Sequence, residues 1–66
     1  MKIYDFTQAE LNLFREMCNF TAEESVLFEY RAKNIPLETC AENMNVSIST
    51  AKRLSRRVNN KIMRVC

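Results

Sequence analysis

Several residue types that build tight turns and reactive sites are missing from this chain of 66 residues. It contains no glycine, no histidine and no tryptophan, and it has a single proline, Pro36. Glycine supplies the positive backbone dihedrals of hairpins and phosphate-binding loops, so its absence argues against β-sandwiches and Gly-rich nucleotide sites. The lack of histidine leaves little support for a catalytic site. We therefore expect an all-α protein that is not an enzyme.

Length and cysteine content predict one small domain, spanning residues 1–66, without a metal or cofactor. The three cysteines, Cys18, Cys40 and Cys66, are an odd number and lack the close spacing of zinc ligands. We expect the first two to be small buried apolar residues and the third to be a terminal thiol. No signal peptide is recognisable, and no apolar run approaches the roughly 20 residues of a membrane span. A cytoplasmic protein is therefore expected.

Charge is distributed very unevenly along the chain. Residues 1–45 carry four basic and eight acidic side chains, a net charge of −4, whereas residues 46–66 carry six basic and no acidic ones, a net charge of +6. The six basic residues are Lys52, Arg53, Arg56, Arg57, Lys61 and Arg64. A concentrated patch of one sign attracts a polyanion where scattered charge does not. We therefore expect the last third of the chain to bind the partner.

Capping and breaking residues predict four helices, at about 8–18, 22–33, 37–44 and 48–63. A Thr-x-x-Glu capping box begins each of the first two helices, at Thr7 and at Thr21. Asn45 is expected in the left-handed conformation that glycine usually supplies after a helix, and Ser47 is expected to cap the last helix. Residues 1–19 comprise an N-terminal arm and the first helix. The apolar side chains of the arm should fold onto the core.

Apolar spacing predicts which side of each helix is buried. In the second helix, Val26, Leu27 and Tyr30 are expected to face inward, while the acidic residues Glu23 and Glu24 belong to a solvated surface. In the last helix, an advance of about 100° per residue gathers the buried seam from Ala51, Leu54, Val58, Ile62 and Val65. The opposite arc holds Ser49, Lys52, Arg53, Arg56 and Asn60, with Arg57 and Arg64 at its flank. The basic residues therefore line one exposed face.

Residues 40–57, Cys-Ala-Glu-Asn-Met-Asn-Val-Ser-Ile-Ser-Thr-Ala-Lys-Arg-Leu-Ser-Arg-Arg, resemble the helix-turn-helix of LuxR-type response regulators and of region 4 of bacterial sigma factors. The matching positions are Ala41, Glu42, Val46, Ser47 and Thr50. Where these families usually have isoleucine, glycine and valine, this chain has Cys40, Asn45 and Ala51. The resemblance covers residues 22–63 and implies a motif at 37–63.

The resemblance implies a small transcription regulator that places helix 48–63 in the major groove of double-stranded DNA. Carried over position by position, it assigns base contacts to Ile48, Ser49, Lys52 and Arg53. It assigns phosphate contacts to Ser47, Thr50, Arg56, Arg57 and Lys61. A short chain of this kind without a sensor domain also resembles phage and prophage regulators.

Two further questions stay open at the level of sequence. One recognition helix makes few base contacts, so the resemblance implies either a homodimer or docking on RNA polymerase, for which Ile3, Tyr4, Phe6, Leu13 and Phe20 are the expected apolar surface. The alternative function is a protein-interaction module of the same fold, whose basic helix docks on RNA polymerase or another nucleoprotein. Neither reading involves a membrane or a small-molecule substrate.

Overall fold

A computed structural model describes residues 3–65, in which a short 3-10 helix at Ile3–Asp5 precedes four α-helices. The α-helices are α1 (Gln8–Met17), α2 (Ala22–Ala32), α3 (Leu37–Met44) and α4 (Ile48–Val65). No strand occurs in the part of the chain that the structure describes. The predicted all-α class and the four predicted helices are confirmed, and α4 continues two residues beyond the predicted end at 63.

The core forms where α4 packs against α2 and α3. Four residues of the predicted α4 seam are buried, namely Ala51, Leu54, Val58 and Ile62, and the fifth, Val65, is partly buried. Cys18 and Cys40 are also buried, as predicted, and burial raises the pKa of the Cys40 thiol above its usual value. Cys66 lies outside the described residues.

A nine-residue pattern occurs twice in this fold, 14 residues apart. The first repeat copy is Phe-Thr-Gln-Ala-Glu-Leu-Asn-Leu-Phe at residues 6–14, and the second repeat copy is Phe-Thr-Ala-Glu-Glu-Ser-Val-Leu-Phe at residues 20–28. Each copy forms a complete capping box at the start of a helix. In each copy the first phenylalanine packs on the last, with ring centroids 4.9 Å apart in the first and 5.0 Å apart in the second. The same local structure thus begins both α1 and α2.

The inward-facing side of α2 differs from the prediction. Val26 is exposed, because the buried stripe of the helix runs through Leu27 and Phe28, which are both completely buried. Two residues correspond to about 200° of helical rotation, so Phe28 and Val26 point to opposite sides. The ring of Phe20, which precedes the capping residue Thr21, packs on Phe28, two turns into the helix.

One exposed ion pair ties α1 to α2. The Nε of Arg15 lies 2.6 Å from one carboxylate oxygen of Glu29, and its Nη2 lies 2.8 Å from the other. The guanidinium also lies over the ring of Phe28, 5.7 Å from its centroid. The hydrogen bond from Arg15 lowers the pKa of Glu29. Because the pair is bidentate, its geometry is more specific than that of a single hydrogen bond.

Asparagine takes the place of glycine at each of the three junctions between α-helices. Asn19, Asn34 and Asn45 follow α1, α2 and α3, with φ of 53°, 61° and 58°. After α3, the N–H of Val46 bonds the carbonyl of Ala41 at 3.0 Å, and the N–H of Asn45 bonds that of Glu42 at 3.1 Å. This is a Schellman motif, which satisfies the last carbonyls of the helix. The predicted left-handed conformation of Asn45 is therefore confirmed.

Replacing Asn45 should reveal the energetic importance of this turn. Asn45→Ala should lower the free energy of unfolding by about 1 kcal/mol, because a Cβ without a local polar group disfavours the left-handed region. Asn45→Gly should preserve or raise stability. Urea unfolding of both variants tests this, and Asn43→Ala, in the right-handed part of α3, is the matched control. Equal losses for Asn45→Ala and Asn45→Gly would contradict the explanation.

Candidate nucleic-acid interface

The turn between α3 and α4 fixes the position of α4. Ala41 is buried and Met44 is partly buried, so the end of α3 lies close to the core. The Oγ of Ser47 accepts a hydrogen bond from the N–H of Thr50 at 3.2 Å and donates one to the Oγ1 of Thr50 at 3.0 Å. The predicted cap is thus present. Three residues, 45–47, connect the two helices.

The basic residues of α4 share one solvent-exposed face. Five of them are exposed, namely Lys52, Arg53, Arg56, Arg57 and Arg64. Within residues 3–65, none of these five forms an ion pair with an acidic side chain. We call these five residues the basic face. Because these side chains are solvated and are not neutralised by acidic side chains, their charges are available to an anionic partner.

The structure places the four predicted base-contacting residues together on the first two turns of α4. Ile48, Ser49, Lys52 and Arg53 are all exposed, with Ile48 the most apolar of them at 38% exposure. Of the predicted phosphate-contacting residues, Ser47 is exposed and Thr50 is half-buried. The N–H of Thr50 is engaged by the Oγ of Ser47, whereas the N–H groups of Ile48 and Ser49 precede the first hydrogen bond within the helix. Donors, cations and one apolar side chain are therefore presented side by side.

Lys61 is placed differently from the other basic residues of α4. Its Nζ lies 2.5 Å from the Oε1 of Glu24 and donates a second hydrogen bond, at 3.2 Å, to the carbonyl oxygen of Asn19. Glu24 is only 2% exposed, contrary to its predicted place on a solvated surface. Its Oε1 also accepts the capping hydrogen bond from the N–H of Thr21 at 3.0 Å. The ammonium of Lys61 therefore joins α4 to the start of α2.

The electrostatics of Glu24 follow from this arrangement. Burial by itself would raise the pKa of the carboxyl group, but hydrogen bonds from Lys61 and from the N–H of Thr21, with the charges of Lys61 and Arg57, hold it below its usual value. Glu24 is therefore ionised at neutral pH. Sequence spacing did not indicate the pair, since 37 residues separate its members.

The apolar surface expected for a partner is smaller than predicted. Ile3 is buried, and Phe6 and Phe20 pack against the core through their ring contacts. Only Tyr4 and Leu13 of the predicted set are exposed. Ile3 is buried and Phe6 is partly buried because the N-terminal arm folds onto the core, and Phe20 is partly buried because its ring packs on Phe28. Exposed apolar residues that the sequence analysis missed are Met17, Val26 and Met63.

The described residues bear on two other kinds of site, a membrane span and a metal centre. Within residues 3–65 no helix has both the length and the apolar character to cross a membrane. The same residues bring together no group of three or more side chains suited to holding a metal ion. Comparisons of the chain with family models, with curated proteins and with solved structures find no match.

Proposed function

We propose that the protein is a small, cytoplasmic, sequence-specific DNA-binding regulator of transcription that lays α4 in the major groove. The observation that carries this proposal is the basic face: five exposed cations on one helix, without an acidic partner in residues 3–65. Such a surface favours the phosphate backbone, which dominates affinity in most DNA complexes. The exposure of Ser47, Ile48 and Ser49 supports the same function, because the start of α4 is accessible to a partner.

The dimensions of α4 suit this role. An α-helix with its side chains is about 10–12 Å across, and the major groove of B-DNA is about 12 Å wide. The first turns of the helix carry Ile48, Ser49, Lys52 and Arg53, whose types match base edges: arginine can form two hydrogen bonds with guanine, and an apolar side chain can contact the thymine methyl group. These four residues are the proposed base-reading set.

Phosphate contacts are proposed for the residues that flank this set. Arg56 and Arg57 lie on the next turn and Arg64 lies near the end of α4, all of them exposed. Ser47 and Thr50 mark the start of the helix, where N–H groups and the helix dipole favour anions. Lys61 is given a structural role instead, because its ammonium already contacts Glu24 and Asn19.

Mapping the bound surface by NMR tests the proposal. We expect that titrating ¹⁵N-labelled protein with random duplex DNA at low salt shifts the amides of the α3–α4 turn and the first three turns of α4, since non-specific binding uses the phosphate contacts alone. The amides of α1 should move little. Shifts confined to α1, or no shifts at all, would contradict the proposal and favour the alternative, in which the basic face docks on an acidic protein.

A further inference from the structure

The two repeat copies have the same local structure but different surroundings. In the second repeat copy Glu24 and Leu27 are covered: Leu27 is completely buried in one cluster with Leu54, Val58 and Ile62 of α4, and Glu24 is paired with Lys61 of α4. An amphipathic helix with an apolar ridge and one lysine therefore covers the second repeat copy.

The equivalent residues of the first repeat copy, 14 positions earlier, are uncovered. Leu13 is 48% exposed and Met17, one turn further, is 59% exposed. The capping box holds Glu10 as it holds Glu24, with its Oε1 accepting the N–H of Thr7 at 2.9 Å. Within residues 3–65, however, Glu10 forms no ion pair. The counterparts of Glu24 and Leu27 are thus exposed on α1, whereas Leu11 and Phe14 of the first repeat copy lie in the core and Met17 corresponds to Arg31.

These residues form one continuous face. At about 100° per residue, Glu10, Leu13 and Met17 fall within about 60° of the helix circumference. Glu16 borders the face on its other side and is exposed. We call Glu10, Leu13, Glu16 and Met17 the α1 face. It is an apolar strip between two acids, which is complementary to an apolar ridge flanked by lysine or arginine.

We propose that the α1 face binds a basic amphipathic helix of another protein, in the way that α4 covers the second repeat copy. Leu13 and Met17 pack against the apolar ridge of that helix, and Glu10 pairs with a lysine or arginine, as Glu24 pairs with Lys61. This interaction is separate from DNA binding by the basic face and does not depend on it.

A second copy of this chain is a poorer occupant of the α1 face. Pairing two α1 faces would bring Glu10 and Glu16 of both copies together without a cation on either face, because Arg15 is engaged by Glu29. Like charges at an interface oppose association. The apolar ridge of α4 in a second copy is buried in its own core. Charge complementarity therefore favours a basic helix of another protein over a second copy of this chain.

A synthetic peptide of residues 47–65 is a suitable probe, because it carries the same apolar ridge and lysine that cover the second repeat copy. We expect saturable binding of the labelled peptide to the full-length protein by fluorescence anisotropy. Leu13→Gln should weaken binding by about 10-fold or more. Glu10→Gln, which keeps the capping box, should weaken it by about 2- to 5-fold and reduce its salt dependence. Val26→Gln, exposed on α2, should leave binding unchanged.

Three results would overturn the proposal. The first is the absence of saturable binding up to about 1 mM peptide. The second is equal binding by wild type and Leu13→Gln, which would show exchange with the chain's own α4 or attachment elsewhere. The third is a dimer in sedimentation without peptide that dissociates in Leu13→Gln, which would assign the α1 face to a second copy.

Discussion

Lys61→Met should lower the free energy of unfolding by about 2–4 kcal/mol at pH 7, because removing one member of a buried ion pair leaves the other charge uncompensated. The carboxylate of Glu24 is almost completely buried, and it would lose the ammonium of Lys61 while keeping the N–H of Thr21 and the charge of Arg57. Urea unfolding measures the effect. Arg64→Met, which removes an exposed basic residue of the same helix, is the matched control and should change stability by less than about 0.5 kcal/mol.

The pH dependence of stability distinguishes the Lys61–Glu24 ion pair from packing of the Lys61 methylene groups. The pKa of Glu24 is lowered in the folded protein, so its contribution to stability is complete above the unfolded pKa of about 4.3 and is lost as pH falls through the lower folded value. We expect the penalty of Lys61→Met to shrink as the pH is lowered to about 3. A penalty of equal size at pH 7 and at pH 3 would mean that Lys61 stabilises the fold through its methylene groups alone.

Arg53→Ala should reduce affinity for the specific operator much more than affinity for random duplex DNA, and so reduce discrimination between sequences. Arg53 is exposed on the second turn of α4, where side chains reach base edges, so we expect a loss of about 1–3 kcal/mol on a selected operator and much less on random duplex. Arg57 lies one turn further along, closer to the expected path of the backbone. Arg57→Ala should therefore weaken both complexes about equally.

The two arginine variants are each other's control. Both remove one positive charge from an exposed position of α4, so a difference between them reports position rather than net charge. Equilibrium titrations on a selected operator and on random duplex, at one salt concentration, provide the comparison. If Arg57→Ala removes discrimination while Arg53→Ala lowers both affinities alike, α4 is rotated in the groove from the proposed orientation.

The features of this fold that were predictable from the sequence are those with local signals. Both capping boxes, the left-handed Asn45 and the cap at Ser47 depend on residues within a few positions of one another, and all are present. The buried seam of α4 followed from a single helical period. Local propensity and long-range packing agree in these elements, which is why pattern alone predicted them.

Features that depend on distant partners were not predictable. Glu24 was assigned to a solvated surface because nothing near it in sequence indicates that Lys61 reaches it. Val26 was expected to be buried because the pattern did not reveal that Phe28 sets the inward direction of α2. Asn19 and Asn34 share the left-handed conformation predicted for Asn45 alone. The absence of glycine was the signal that could have indicated all three asparagines.

The salt dependence of binding to random duplex DNA tests the central claim most directly. If the basic face neutralises about four to six phosphates, the logarithm of the affinity should fall against the logarithm of the salt concentration with a slope of roughly −4 to −5. Arg57→Ala should reduce the magnitude of this slope by about one. A flat salt response, or no binding to duplex DNA at low salt, would contradict the assignment of α4 as a DNA-binding helix.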